Sequence, residues 1–99
     1  MSIDLISAAD AAAIVNDGDT VIVGGSAGMG VAESILSEIG ERFIRDQHPK
    51  FLTILHTTGI GAVHDRGLNH LVHKGLIKRV IGGNFGLQLP FMRELIVAN

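Results

Sequence analysis

Three clusters of glycine, each directly after an apolar run, constrain this chain more than any other feature. Thirteen of the 99 residues are glycine, well above the usual share of about 7%. Most of them fall at 24–30, 59–61 and 82–86. An apolar run that ends in a glycine loop is typical of a buried strand whose carboxyl end carries a binding loop. Three such units predict an α/β fold with a mostly parallel sheet.

The residues between the clusters predict the helices and strands in more detail. Strands are expected at about 20–23, 51–56 and 78–81, and helices at about 7–15, 31–45, 66–74 and from Pro90 onward. Ser7 before an alanine-rich segment, with Asp10 three residues on, is typical of a helix N-cap. The first strand, its glycine loop, the second helix and the second strand form one right-handed βαβ unit.

The composition excludes several classes of protein. Eight basic and ten acidic residues give a net charge of −2, so the chain has no field that attracts nucleic acid or an anionic membrane. The lack of cysteine excludes a disulfide scaffold, a thiolate metal site and a cysteine nucleophile. The N-terminal residues show no secretory signal, and the apolar runs are shorter than the roughly 20 residues of a membrane span. We therefore expect a cytoplasmic protein that binds neither nucleic acid nor membrane.

The pattern near the end of the sequence predicts that residues 1–99 are part of a larger protein. The last helix has little room before Asn99 and no capping glycine. Three buried parallel strands also have open hydrophobic edges, which folded proteins normally cover. We expect an incomplete, truncated three-layer α/β domain that contacts the remainder of the same protein and forms a homo-oligomer.

The loop from Gly24 to Gly30 is the strongest candidate for a binding site. A strand that enters a helix through glycines presents backbone N–H groups at the positive end of the helix dipole. A phosphate, a carboxylate or a developing oxyanion could bind there. The loop is not a Walker A motif, because no Gly-Lys-Ser/Thr follows, and the Rossmann order Gly-x-Gly-x-x-Gly fails at Glu33. The alternative is that these glycines only allow tight packing of the strand against the helix.

Residues 17–30 resemble the N-terminal signature of the family I coenzyme A transferases. That signature reads Asp-Gly, two free positions, three apolar residues, Gly-Gly-Phe, three free positions, Gly, one free position and Pro. The matching positions are Asp17, Gly18, the apolar strand, Gly24, Gly25 and Gly30. Ser26 stands where the family prefers Phe, and Ala32 where it prefers Pro. With these departures the chain is similar to the fused acetate/propionate (short-chain acyl) coenzyme A transferases, and the order of strands and loops extends the resemblance over nearly all residues.

The resemblance implies an enzyme that moves CoA between a short-chain acyl-CoA and a free carboxylate of the acetate, propionate or 3-keto acid class. In the family an enzyme glutamate attacks the thioester, and a glutamyl-CoA thioester forms through an anhydride. That glutamate lies in a Glu-Asn-Gly-type motif in the second half of the enzyme. Neither this motif nor the family's downstream Pro-Gln-Gly element is present in the 99 residues. We therefore expect no catalytic residue in this chain and no activity from it alone.

The resemblance assigns the first glycine loop to contact with CoA, which is a substrate and not a permanently bound cofactor. The residues assigned to this contact are Gly24, Gly25, Ser26, Ala27, Gly28, Met29 and Gly30. His56 at the end of the second strand, and Asn84 and Phe85 in the third glycine loop, are candidates for the substrate pocket, because parallel sheets bind ligands at those strand ends. For Asn84 and Phe85 the alternative is a simple glycine-rich turn into the last helix.

We expect structural roles for Glu33 and for the histidines between positions 64 and 73. Glutamate in the first turn of a helix is stabilised by the dipole and by capping. His70 and His73 could share one helix face, with His64 and Asp65 nearby, but no cysteine or further glutamate completes a metal site. We expect a polar helix surface there and no bound metal.

Two other functions remain open at this point. One is a Rossmann-like, nucleotide-binding oxidoreductase, against which the failed fingerprint argues. The other is a structural or interaction fragment whose glycine loops only pack. Binding of CoA, of NAD or of neither distinguishes the three.

Overall fold

A computed structural model of the chain describes residues 3–25, 30–57, 66–83 and 89–99. The elements are helix α1 (Ala8–Ala12), strand β1 (Thr20–Ile22), helix α2 (Glu33–Asp46), strand β2 (Leu52–His56), the 3-10 helix η1 (Gly67–Leu71), strand β3 (Ile77–Gly82) and helix α3 (Leu89–Ala98). The strands pair in parallel in the order β1-β2-β3. The predicted α/β class with a parallel sheet is confirmed. None of the helices in the described ranges is long and apolar enough to cross a bilayer.

The core joins the central strand to the apolar face of α2. Leu52 and Ile54 of β2 are fully buried. On α2, the buried residues are Leu36, Ile39, Gly40 and Phe43, a spacing that places them on one side of the helix. Strand and helix therefore share one hydrophobic cluster, to which α1, η1 and α3 also contribute.

The opposite face of the sheet carries an apolar row. Ile22, Leu55 and Ile81 lie side by side in the register of the three strands, and neighbouring positions in register share a face. Ile22 is 73% exposed and Ile81 is 47% exposed. The alternation of burial along β2 thus separates the core face from a face that the described residues leave largely open.

The first helix is shorter than predicted. Its N-cap is confirmed, since Ser7 Oγ accepts a hydrogen bond from the backbone N–H of Asp10 at 3.1 Å. The helix ends at Ala12, however, and not near residue 15. After the C-cap Ala13, the N–H groups of Ile14 and Val15 bond to carbonyls only three residues back. Asn16 N–H then donates to the Asp19 carboxylate at 2.8 Å, which begins the turn into β1.

The helix expected over about 66–74 is also shorter, and it is a 3-10 helix over Gly67–Leu71. Its first residue has a φ of +59°, a conformation outside the α-helical region that favours glycine. The chain turns again at Gly75, where φ is +88°, and enters β3. Gly67 and Gly75 thus begin and end the segment that contains η1 and the turn into β3.

Asp17 ties the turn before β1 to the segment before β2. Its carboxylate accepts hydrogen bonds from His48 Nδ1 and from the backbone N–H of Lys50, each at 2.9 Å. The His48 contact is the main cause that holds the pKa of the Asp17 carboxyl below its usual 3.8, against the opposing effect of desolvation, and the Lys50 hydrogen bond adds to it.

We expect Asp17→Asn to lower stability at neutral pH and to flatten the response to acid. Because the folded pKa of Asp17 lies below the unfolded one, its contribution is present above pH 3.8 and is lost as the pH falls through the lowered value. The urea midpoints of wild type and variant should differ at neutral pH and converge in acid. A gap of constant size across this range would contradict the assignment.

Candidate functional site

The three glycine loops follow the carboxyl ends of β1, β2 and β3, at one edge of the parallel sheet. Open α/β sheets bind ligands at this edge. The structure describes Gly24, Gly25 and Gly30 of the first loop, Thr57 at the start of the second and Gly83 at the start of the third. Six of the predicted site residues lie outside the described residues: Ser26, Ala27, Gly28, Met29, Asn84 and Phe85.

Gly24 differs from the other two described glycines of the first loop. Gly25 and Gly30 have φ values of +119° and +68°, in the region that side chains disfavour. Gly24 is exposed, and among the described residues no atom would lie within 4 Å of a Cβ placed there. The backbone therefore requires glycine at positions 25 and 30, while nothing described in the chain requires it at position 24.

An apolar cleft of about 240 Å³ borders this loop. Gly24, Gly30 and Ala32 line part of it, and the remaining lining residues are aliphatic: Val15, Val21, Ile22, Val23, Ile35, Leu36 and Ile39. The cleft runs along β1, which is an edge strand of the described sheet. It places an apolar surface next to the start of a 14-residue helix, whose dipole is positive at that end.

The starts of the second and third loops are in direct backbone contact. Gly83 N–H donates to the His56 carbonyl at 3.0 Å, and a Cβ at Gly83 would clash with the backbone oxygen of Thr57. Close packing therefore explains the glycine at position 83. His56 is 2% exposed at the end of β2, so its side chain belongs to the interior here, and its place in a substrate pocket stays a prediction.

Glu33 opens α2 and reaches across to η1. Its carboxylate accepts a hydrogen bond from Gly67 N–H at 2.7 Å and pairs with Nε2 of His70. Desolvation acts to raise the pKa of the Glu33 carboxyl, but the hydrogen bonds from Gly67 and His70 outweigh it and hold that pKa below the usual 4.5. The N-cap position, Ala32, offers no side-chain hydrogen bond. The sequence predicted the first-turn position of Glu33 but not its contact with η1.

His70 and His73 are half-buried and make side-chain contacts, instead of forming the polar helix surface that the sequence suggested, and His73 lies beyond the end of η1. His70 pairs with Glu33, and the ring of His73 stacks on that of Phe43 with centroids 6.1 Å apart. His64 and Asp65 lie outside the described residues. In the ranges that the structure does describe, no three His, Asp or Glu side chains are grouped so that they could hold a metal ion.

Comparison with known proteins decides the family. The family model described as Coenzyme A transferase matches residues 5–96, which is nearly the whole sequence. The chain belongs to the coenzyme A transferase family. The resemblance read from residues 17–30 is therefore confirmed, and the order of strands and glycine loops described above is that of a coenzyme A transferase segment.

Relatives of this coenzyme A transferase chain are longer proteins. It is 30% identical over 98 residues to the acetate CoA-transferase YdiF of Escherichia coli K12, covering 98% of the chain and 18% of the relative. It is 34% identical over 96 residues to the caffeate CoA-transferase of Acetobacterium woodii, covering 94% and 18%. It is 34% identical over 92 residues to a probable succinyl-CoA:3-ketoacid coenzyme A transferase chain from Bacillus subtilis, covering 93% and 36%. The chain thus spans a fifth to a third of the curated relatives it matches.

The chain is also similar in structure to solved acyl-CoA transferases, which agrees with the family assignment. The apoenzyme of the acyl-CoA transferase YdiF from Escherichia coli O157:H7 superposes with a TM-score of 0.83 at 30% identity, over 92% of this chain and 18% of that one. A thioester complex of the same enzyme with CoA gives a TM-score of 0.83 at 29% identity, over 92% and 19%. The fold of the coenzyme A transferase segment is therefore the same in both proteins.

Proposed function

We propose that the protein carrying this chain transfers CoA between a short-chain acyl-CoA and a free carboxylate, and that the loop from Gly24 to Gly30 contacts the CoA thioester region. The observation that carries the proposal is Gly24, a glycine at the carboxyl edge of the sheet with no packing reason among the described residues. Membership of the coenzyme A transferase family indicates that the ligand of this loop is CoA. A cytoplasmic location and a homo-oligomer that includes the remainder of the enzyme belong to the same proposal.

The names of the relatives support a carboxylic acid as the acceptor of CoA. Their names specify acetate, caffeate and the pair succinyl-CoA and 3-ketoacid, and each free acid presents a carboxylate to the thioester. The names of two of these three relatives specify acetate and succinyl-CoA with 3-ketoacid, which supports a short-chain substrate. The shared chemistry is transfer of the CoA thiolate from the carbonyl carbon of one acid to the carboxyl carbon of another.

The proposed reaction proceeds through the enzyme's glutamate. Its carboxylate adds to the thioester carbonyl, the carbon–sulfur bond breaks, and the CoA thiolate departs. The product on the enzyme is an acyl-glutamyl anhydride. The thiolate then adds to the glutamyl carbonyl and releases the first acid as a carboxylate, which leaves a glutamyl-CoA thioester. A second carboxylate reverses these steps and departs with CoA. Each addition develops an oxyanion that preorganised N–H donors stabilise.

In this scheme the present chain binds CoA and leaves the covalent chemistry to the rest of the enzyme. The helix dipole of α2 and the nearby backbone N–H groups favour negative charge or a carbonyl oxygen at the loop. The aliphatic cleft beside Gly24 and Gly30 suits an apolar arm or acyl chain. A ligand with a polar thioester at the end of a flexible arm fits both features.

Thermal unfolding in the presence of CoA or NAD tests this function against its alternatives. We expect CoA, at about one hundred times its Kd, to stabilise the protein by about 2.7 kcal/mol, and NAD to have no effect. Stabilisation by NAD instead would indicate the Rossmann-like alternative. No response to either ligand would favour a structural fragment and contradict the proposal.

Gly24→Ala separates binding from packing. Because a Cβ at this exposed position meets no described atom within 4 Å, the free energy of unfolding should stay within about 0.5 kcal/mol of wild type. The added methyl group blocks close approach of a ligand, so CoA affinity should fall about tenfold, or about 1.4 kcal/mol. Calorimetric titration with CoA and urea unfolding measure the two quantities, with Ser34→Ala on the exposed side of α2 as the control. Loss of stability without loss of affinity would support the packing alternative.

A further inference from the structure

One side chain connects the elements that follow the first two glycine loops. Gly30 closes the first loop, and Glu33 begins α2 three residues later. After the second loop the described chain resumes at Arg66 and enters η1 at Gly67. The Glu33 carboxylate accepts from Gly67 N–H at 2.7 Å and pairs with Nε2 of His70. It therefore ties the helix after the first loop to the helix after the second.

The contact of Glu33 with η1 holds the two helices together at the end of α2 nearest the loop, where the rest of the α2–η1 interface does not reach. A Cβ at Gly40 would clash with the backbone oxygen of His70, so close backbone packing fixes the separation of the two helices two turns farther along α2. Glu33 lies at the end of α2 nearest the loop. The side chain of Glu33 is 45% exposed and that of His70 is 21% exposed, so the pair lies at the margin of the core and not within it.

We propose that Glu33 is a positioning residue that holds the first glycine loop in register with η1, so that its loss weakens binding of CoA and leaves the chemistry of transfer unchanged. The proposal rests on the proposed function. Because Gly30 and Glu33 are joined by only two residues, Val31 and Ala32, a displaced end of α2 displaces the loop's N–H groups. Because hydrogen bonds weaken steeply when the donor leaves its preferred distance and angle, displaced N–H groups bind the ligand less tightly.

The first experiment needs no ligand. Amide chemical shifts of Gly24 and Gly30 and amide exchange of Gly67 are measured by NMR in wild type, Glu33→Ala and Glu33→Gln, with Glu41→Ala at an exposed position of the same helix as the control. We expect Glu33→Ala to shift the Gly24 and Gly30 resonances and to accelerate exchange at Gly67, whose N–H donates to Glu33, about tenfold. Glu33→Gln, which keeps an acceptor for Gly67 N–H, should restore most of the protection. Unchanged Gly24 and Gly30 resonances in Glu33→Ala would overturn the proposal, and if Glu33→Ala does not fold, the same resonances in His70→Ala, which removes one partner of Glu33, decide instead.

The second experiment uses the full-length protein and steady-state kinetics. We expect Glu33→Ala to raise the KM for acyl-CoA about tenfold with kcat within about twofold of wild type, and Glu33→Gln to recover most of the loss. A fall in kcat with KM unchanged would indicate a merely structural role and contradict the proposal. A wild-type protein that does not bind CoA would contradict the proposed function, while the NMR measurement would still test separately whether Glu33 positions the loop.

Discussion

Ile54→Ala is expected to lower the free energy of unfolding by about 2–5 kcal/mol. Ile54 is fully buried in the central strand, where it lies in register between Val21 and Val80. Truncation removes apolar burial and leaves a cavity that its neighbours on both strands cannot fill. Since small domains are stable by only about 5–15 kcal/mol, this single change should bring the protein close to unfolding. Urea unfolding followed by circular dichroism measures the loss, because the chain has no tryptophan or tyrosine.

Leu55→Ala is the matched control for that prediction. Leu55 is the next residue of β2, but it is half-buried on the opposite face, in the row with Ile22 and Ile81. Its truncation should cost about 1 kcal/mol. Equal losses at the two positions would contradict the assignment of a core face and an open face to this sheet.

Gly40→Ala is expected to destabilise the protein by about 1–3 kcal/mol. In a helix interior alanine is more favourable than glycine by about 1 kcal/mol, so this change inside α2 would ordinarily raise the free energy of unfolding. Here the new Cβ would clash with the backbone oxygen of His70, and a backbone atom cannot turn aside as a side chain can. The overlap should outweigh the gain in helix propensity and push η1 away from α2.

Ser34→Ala in the same helix provides the comparison. Ser34 is exposed, so only helix propensity changes, and stability should rise by up to about 0.5 kcal/mol. Unfolding of both variants in urea gives the two free energies side by side. A stabilising Gly40→Ala would mean that α2 and η1 are not in backbone contact at this position.

Local patterns predicted those parts of the fold that local interactions determine. The strands follow from β-branched and aliphatic runs, since such residues suit a buried sheet, and the start of α1 follows from the hydrogen-bonding capacity of Ser7. Helix ends were less predictable. The end of α1 depends on Asp19 accepting from Asn16 N–H, one of several arrangements that a polar turn permits.

Contacts between residues that are far apart in the sequence could not be predicted from local patterns. Glu33 and Gly67 are separated by 34 positions, and no spacing rule connects them. Gly40 interrupts an otherwise regular helix pattern, and only the approach of η1 explains it. The position of the candidate site was predictable because a glycine loop after a parallel strand must lie at the carboxyl edge of the sheet. Burial of His56 depends on how the loop ends pack and could not be read from its place in the strand.

Titration of the isotope-labelled protein with CoA, followed by NMR at the glycine amides, tests the central claim most directly. The account predicts saturable shifts at Gly24, Gly25 and Gly30, at the carboxyl edge of the sheet. Gly18 and Gly75 precede β1 and β3 at the opposite edge and should not move. Saturable shifts at Gly18 or Gly75, with the three loop glycines unchanged, would place CoA elsewhere and contradict the account.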